Sequence, residues 1–166
     1  MIEMNNEKVN DFKQVMGNYP TGVTVITTTA PDGTPVGMTV NSFASVSLDP
    51  MLILWSIDKR VSSYDIFTNA KQFAVHILAA DQAEMCALFA SHGIDRFKNC
   101  DWEMSADGLP IINGAAGVLH CSMYTTVGGG DHRILIGKVE HIDNHGKEPL
   151  LYHRRKFDAI PESFYD

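Results

Sequence analysis

The stretch Val23-Thr24-Val25-Ile26-Thr27-Thr28-Thr29 is almost entirely β-branched, a composition that fits a pleated, half-buried strand. Pro31-Asp32-Gly33-Thr34-Pro35 follows it and carries the residue types of a tight turn. Residues 36–40 then read as a returning strand. Together the three segments predict a β-hairpin.

Outward from this hairpin, similar runs predict further strands, and three segments predict short helices. The strand-like runs are residues 43–48, 51–57, 72–78, 115–124, 133–142 and 150–153. The helices are predicted near residues 9–16, at 62–69 and at 81–90, where Asp81 and Glu84 form a capping-box pattern. Many short strands separated by turns favour a mainly β fold, a closed or split antiparallel barrel, over a βαβ sheet.

Composition narrows the class of protein. With 166 residues and a hydrophobic fraction of 45%, we expect a single domain over 1–166 with its core at about 10–160. The net charge of −7 opposes nucleic-acid binding. Residues 1–10 lack the pattern of a signal peptide, and residues 51–57 are too short an apolar run to cross a bilayer. A soluble protein without a membrane partner is therefore expected.

The cysteines and histidines predict neither disulfides nor a metal site. Cys86, Cys100 and Cys121 are odd in number and far apart, so a reducing cytoplasm is the expected location. His141 and His145 are four residues apart, but the residues around His145 have turn chemistry, and without a helix the two imidazoles do not converge. No metal is therefore predicted.

Two segments suit a flat, phosphorylated ligand. Thr39, Asn41 and Ser42 lie where the hairpin strand ends, among apolar residues. This is the mixture that an isoalloxazine ring needs for its apolar and pyrimidine edges. Lys59 and Arg60 precede Ser62 and Ser63 at the start of a predicted helix, where hydroxyls, free N–H groups and positive charge favour phosphate. The alternatives are an ordinary solvated strand and an ordinary serine cap.

Two further segments offer a histidine and a basic cluster. In Gly128-Gly129-Gly130-Asp131-His132, the glycines permit close approach of a ligand and Asp131 can orient the imidazole of His132; a plain glycine turn is the alternative. Tyr152-His153-Arg154-Arg155-Lys156 gathers positive charge in an acidic chain, which suits a nicotinamide dinucleotide or simply a solvated charge run.

Taken in order, several motifs of the chain resemble the short-chain flavin reductase family, whose members have the FMN-binding split-barrel fold and feed reduced flavin to separate monooxygenases. The matching segments include Thr21-Gly22-Val23-Thr24-Val25, Pro35-Val36-Gly37-Met38-Thr39-Val40-Asn41-Ser42-Phe43, Ser45-Val46-Ser47-Leu48-Asp49-Pro50, Phe73-Ala74-Val75, Asp95-Arg96-Phe97, Gly130-Asp131-His132 and Pro149-Leu150-Leu151-Tyr152. The resemblance spans roughly residues 10–160. It departs from the family at Leu88, where arginine is frequent, and at His76, where asparagine is usual.

The resemblance implies specific contacts at matching positions of this chain. Flavin contacts are implied for Gly37, Met38, Thr39, Asn41, Ser42, Ser56, Ile57, Asp58, Ser62 and Ser63, with Phe89, Arg96 and Phe97 nearby. His132, beside Asp131, and the segment Tyr152, His153, Arg154 and Arg155 are implied for the nicotinamide cofactor. Lys59 and Arg60 complete the phosphate region, and His132 is the residue expected to position the nicotinamide or to hydrogen-bond the flavin.

The implied activity is NADH- or NADPH-dependent reduction of FMN, with FAD as the alternative flavin, for a partner monooxygenase. Hydride transfer needs two stacked rings and no strong acid or base, and the chain has no recognisable catalytic triad motif. The rival hypotheses are a split-barrel oxidase with tightly bound FMN and a non-catalytic flavin-binding protein. A homodimer is also expected, with the N-terminal helix or the tail from Phe157 covering the interface.

Overall fold

A computed structural model of the chain describes residues 6–166, and strands dominate it. The helices are α1 (Asn6–Gly17), α2 (Tyr64–Asn69) and α3 (Ala83–Ala90), and the strands are β1 (Thr21–Gly22), β2 (Thr24–Thr29), β3 (Pro35–Val40), β4 (Ala44–Leu48), β5 (Met51–Asp58), β6 (Gln72–Ile77), β7 (Trp102–Met104), β8 (Pro110–Ile112), β9 (Gly117–Gly129), β10 (His132–Asn144), β11 (Leu150–His153) and β12 (Lys156–Ala159). Short 3-10 helices lie at Arg96–Asn99 and Glu162–Phe164.

One antiparallel sheet of seven strands organises the molecule, in the order β3-β2-β6-β9-β10-β5-β4. Its two edge strands, β3 and β4, are consecutive in the chain and are joined by residues 41–43 alone. The sheet must therefore curl until its edges approach each other, yet within residues 6–166 no ladder joins β3 to β4. The predicted mainly β, antiparallel class is confirmed, and the barrel is an open one.

Two small sheets and a helix flank this main sheet. β1, β11 and β12 form a three-stranded sheet, and β7 pairs with β8. α3 packs beside β3, where Phe89 and Phe97 meet edge to face with ring centroids 5.2 Å apart. Within residues 6–166, no helix is long and apolar enough to cross a bilayer.

Aromatic rings fill the inside of the curled sheet. The Trp55 indole contacts Phe67 and Phe73 edge to face, with centroid separations of 5.2 Å and 5.8 Å, and all three rings are fully buried. Gly137 on β10 lies against the Phe73 ring: a Cβ atom there would sit 2.5 Å from Phe73 Cζ and 3.0 Å from Cys121 Cβ. The absence of a side chain at residue 137 thus lets β10 approach the aromatic core.

The predicted β2–β3 hairpin is confirmed, whereas several predicted boundaries are wrong. The N-cap of α3 is Gln82 and makes no side-chain capping bond; its amide instead accepts from the Ala79 N–H and donates to the Asn113 carbonyl. The Asp81–Glu84 capping box is therefore not formed. α2 begins at Tyr64 rather than at residue 62. The short strands β7, β8 and β12 were not predicted.

We predict that Gly137→Ala lowers the free energy of unfolding by about 1–3 kcal/mol, because the added methyl overpacks the core against Phe73. The matched control is Gly128→Ala, where a Cβ would meet no heavy atom within 4 Å and a change within about 0.5 kcal/mol is expected. Urea unfolding followed by tryptophan fluorescence measures both. Equal stability of the two variants would contradict the packing described for the core.

Candidate functional site

A cleft of about 1280 Å³ opens at one end of the curled sheet. Three parts of the chain surround it: the end of α1 together with β1, the segment that joins β3 to β4, and the β11–β12 hairpin. Its walls are Phe12, Lys13, Gln14, Met16, Gly17, Asn18, Tyr19, Pro20, Thr21, Gly22, Asn41, Ser42, Phe43, Ala44, His132, Tyr152, Arg154 and Arg155. Of the residues predicted from sequence, it gathers Asn41, Ser42, His132, Tyr152, Arg154 and Arg155.

The split between β3 and β4 forms one wall of the cleft. The Ser42 hydroxyl accepts a hydrogen bond from the Ser56 N–H at 2.9 Å and donates to the Ser56 carbonyl at 3.2 Å. These two hydrogen bonds tie the segment that joins β3 to β4 to β5, although this segment is not part of the β4–β5 ladder. Asn41 is left with its amide exposed beside the cleft, and an amide offers both donors and acceptors to a heterocycle edge.

His132 lies where β10 begins, directly opposite Asp58 at the end of β5. The preceding turn consists of Gly130, with φ of +68°, and Asp131; Gly128 and Gly129 belong to β9. His132 Nδ1 lies 2.7 Å from Asp131 Oδ1, and this hydrogen bond lowers the pKa of Asp131. Within residues 6–166, His132 Nε2 has no partner and is available to a ligand.

Two of the cations predicted for phosphate are engaged within the protein. Lys59 Nζ donates to the Gly130 carbonyl at 2.7 Å, which braces the β9–β10 turn. Arg60 Nη2 lies 2.7 Å from Asp58 Oδ2, and the hydrogen bonds from Arg60 hold the pKa of that carboxyl far below its usual range. Lys59 and Arg60 therefore stabilise the end of β5 and the neighbouring turn. The cationic side chains that line the cleft are Lys13, Arg154 and Arg155.

Those cations come from α1 and from the β11–β12 hairpin. Arg154 and Arg155 form its turn with φ values of 49° and 63°, a left-handed conformation that is uncommon for side chains larger than asparagine. Arg154 Nε donates to Asn18 Oδ1 at 2.7 Å, which ties this turn to the end of α1. With Lys13, they place positive charge around the cleft of a chain whose net charge is −7.

Buried polar atoms test whether this region fits a polar, flat ligand such as a flavin. Among the described residues, Thr21 Oγ1, His153 Nδ1 and Trp55 Nε1 are buried without any hydrogen-bond partner, and such atoms are uncommon in folded proteins. Thr21 lines the cleft, opposite Tyr152 in the β1–β11 ladder. A ligand that carries its own donors and acceptors fits the unpaired Thr21 hydroxyl, whereas His153 and Trp55 do not line the cleft.

Several predicted contact residues lie behind the cleft rather than in its wall. Thr39 donates its hydroxyl hydrogen bond to the Cys86 carbonyl at 2.7 Å, and Gly37 faces the Phe89 and Phe97 rings, which are buried. Arg96 donates to the Gly37 carbonyl at 2.6 Å and to the Ser91 carbonyl. These residues hold β3 in position under α3.

The remaining predicted residues also stand outside the cleft wall. Met38 packs against the aromatic core, and the Ile57 side chain is fully buried in it. Ser62 and Ser63 precede α2, and Ser63 makes no capping bond. The cleft residues missed from sequence include Phe12, Asn18, Tyr19, Thr21 and Phe43. Phe12 belongs to the apolar spacing of α1, and Thr21 and Phe43 belong to motifs that match the family, but none of these signals shows that the residues meet the β11–β12 hairpin, which is far away in sequence.

Comparison with known proteins relates the chain to flavin reductases. The family model described as flavin reductase like domain matches residues 16–161. The chain is 46% identical over 159 residues to the reductase component of a flavin-dependent trigonelline monooxygenase from Acinetobacter baylyi, covering 96% of this chain and 51% of that protein. It is 42% identical to the FMN reductase (NADH) SmoA of Agrobacterium fabrum, covering 91% of this chain and 90% of that one.

A solved structure extends the likeness to the fold. The NADH:FAD oxidoreductase SgcE6 of Streptomyces globisporus, determined with NAD and FAD fragments, superposes with a TM-score of 0.89 at 34% identity, covering 95% of this chain and 96% of that chain. The chain thus spans about half of the Acinetobacter relative and nearly all of SmoA and SgcE6. From the matched family model and these likenesses, the chain belongs to the flavin reductase like domain family.

Proposed function

We propose that the chain is an NAD(P)H-dependent flavin reductase that supplies reduced flavin to a separate monooxygenase. The observation that carries the proposal is the cleft at the split of the sheet, lined by amide, hydroxyl and cationic side chains with His132 at one edge. Family membership and the names of relatives in two-component monooxygenases support the same conclusion. We also propose that the chain works as one domain in the cytoplasm.

The size and charge of the cleft suit two ligands together. Its volume of about 1280 Å³ exceeds the range of roughly 300–1,000 Å³ that is usual for a single small ligand. Lys13, Arg154 and Arg155 can neutralise phosphate groups, whereas Asn41 and Ser42 offer donors and acceptors to a heterocycle. We favour FMN as the flavin and keep FAD as the alternative; NADH and NADPH both remain candidate donors.

The protein's own contribution to catalysis is to bind, orient and hold two rings together. When bound, the flavin accepts hydride from the nicotinamide, and this transfer needs no strong protein acid or base. Asp131 fixes the His132 imidazole through Nδ1 and leaves Nε2 for a ligand carbonyl or amide. Lys59 anchors the turn that carries both residues, so the imidazole is positioned before the ligands arrive.

We predict that the purified protein oxidises NADH or NADPH only when FMN or FAD is added, and that the flavin exchanges freely. Flavin identification after purification, followed by assays with each pair of flavin and nicotinamide, measures this. Flavin that co-purifies stoichiometrically without NADH oxidation would instead favour the oxidase, and flavin binding without any turnover would favour a binding protein. The absence of binding to either flavin at micromolar concentration would overturn the proposal.

We predict that His132→Ala lowers kcat/KM for the nicotinamide donor roughly fivefold to tenfold, since one ligand hydrogen bond contributes about 1–1.4 kcal/mol. His145→Ala is the matched control, because His145 is exposed and lies outside the cleft. Steady-state kinetics and the flavin dissociation constant are measured for both variants. A raised KM for NADH assigns His132 to the nicotinamide, and a raised flavin Kd assigns it to the flavin. Full turnover by His132→Ala would contradict either role.

We further propose that the chain forms a homodimer through α1. No residue of α1 is buried on its own chain. Phe12 and Val15 in the helix and Tyr19 just after it are 66%, 68% and 66% exposed. Exposed apolar residues on one helix face mark a surface that a second protein surface covers. Because α1 also lines the cleft, dimerisation through this face places the partner copy next to the proposed site.

We predict that Val15→Glu shifts the protein from dimer to monomer, because a charge at the centre of an apolar interface is costly to bury. Asn10→Glu is the matched control, since residue 10 is exposed and lies on the opposite face of α1. Size-exclusion chromatography with light scattering gives the mass of each variant. A monomeric wild-type protein, or a dimer that Val15→Glu leaves intact, would contradict this interface.

A further inference from the structure

The other end of the β9–β10 hairpin carries a histidine–aspartate cluster that the flavin site does not use. His120 on β9 stands directly opposite His141 on β10, next to a bulge between Val139 and His141. Asp143 lies two residues beyond His141 and so projects from the same face of the strand. We propose that His120, His141 and Asp143 bind a divalent transition-metal ion, with Zn²⁺ as the expected ion.

The three donor groups already converge on a common point. His120 Nε2 lies 2.9 Å from Asp143 Oδ2, and His141 Nε2 lies 3.0 Å from Asp143 Oδ1. One donor atom of each residue lies within 4.8 Å of the others. A tetrahedral zinc site with bonds of about 2.0–2.1 Å separates neighbouring donors by about 3.3 Å. The two histidine–aspartate separations, which involve different oxygens of Asp143, therefore need to lengthen by only a few tenths of an ångström to reach that spacing.

A fourth residue orients the buried imidazole as metal sites require. His120 Nδ1 lies 3.1 Å from Asp107 Oδ2, so Asp107 can hold the proton on Nδ1 and leave the Nε2 lone pair for a metal. A carboxylate bound to the far nitrogen of a ligand histidine is the usual outer partner in zinc sites. Asp107 comes from the turn between β7 and β8, so three separate elements of the chain contribute to the cluster.

Burial and access also fit a metal ligand set. The His120 side chain is 6% exposed, whereas His141 is 64% exposed and Asp143 35%. A cavity of about 480 Å³ lies beside the three residues and is lined also by Glu103 and Asp107. An ion can therefore enter from the His141 side, bind the buried imidazole, and keep a coordination position for water. Imidazole with carboxylate is a donor set that suits zinc better than magnesium or calcium.

The site is separate from the proposed reductase reaction. His141 is nine positions along β10 from His132, a separation of about 30 Å at the rise of a β-strand. A bound ion would tie β9 to β10 at this end of the hairpin and stabilise the folded state by mass action. The inference therefore stands independently of the proposed reductase function.

The test is zinc titration of tag-free, chelator-treated protein by calorimetry, with thermal unfolding in parallel. We expect the wild type to bind about one Zn²⁺ per chain and its Tm to rise with zinc. His141→Ala and Asp143→Asn, both at accessible positions, should weaken binding by at least about tenfold, and Asp107→Asn by roughly 10–100-fold. His145→Ala is the matched histidine control and should bind as the wild type does.

Each outcome supports or overturns the metal site. Loss of zinc binding and of zinc-dependent stabilisation in His141→Ala, with both retained in His145→Ala, supports it. Equal zinc binding by the wild type and His141→Ala overturns it, because binding by the free cysteines alone would give that result. A wild-type protein that binds no zinc also overturns it. Flavin reduction is measured on the same samples and should not change with zinc, so failure of the reductase proposal would be seen separately.

Discussion

The curl of the seven-stranded sheet is the constraint on which the rest of the structure depends. β3 and β4 lie at opposite edges of the sheet order and yet are joined by residues 41–43, so the sheet has to bend back on itself around Trp55 and Phe73. β10 permits this because Gly137 brings its backbone against the Phe73 ring. The register shift next to Gly137 is a bulge, and bulges increase local twist and bend a strand.

The cleft follows from this curl because the chain reversals at the open end form its walls together with α1 and β1. The 41–43 connection, the turn before His132 and the turn at Arg154 and Arg155 all project from strands that the sheets hold rigidly. Loops on a rigid scaffold are the usual place for binding residues. The internal bonds made by Ser42, Lys59 and Asp131 order these loops before a ligand binds. Ligand binding therefore costs less conformational entropy than it would with mobile loops.

The sequence predicted those parts of the fold that depend on local patterns. The β-branched run before Pro31 and the turn after it were sufficient for the β2–β3 hairpin, because both strands and their turn are contiguous. The Asp81–Glu84 pattern failed because Gln82 is recruited by Asn113, a contact between residues 31 positions apart. Local sequence patterns cannot predict a contact between residues so far apart.

The site was predictable as a set of segments but not as a surface. Alternation along β3 predicts two faces, but whether Thr39 turns toward a ligand or toward α3 depends on where α3 packs. The same limit applies to the histidines. His141 was weighed against His145 because they are close in sequence, whereas the ladder places His141 opposite His120. That register passes two bulges, and each bulge shifts the pairing by one residue.

The long β9–β10 hairpin explains how one small chain can carry the two proposed sites. Each of its strands has 13 residues, and its turn end supplies His132 whereas its open end supplies the histidine–aspartate cluster. At this open end the pairing continues through the His145 N–H, which donates to the Ala116 carbonyl at 3.1 Å. Contacts from Asp107 to His120 hold this end against a separate strand pair, and they do so without touching the residues that line the cleft. Stability at one end and ligand recognition at the other can therefore vary independently within the same fold.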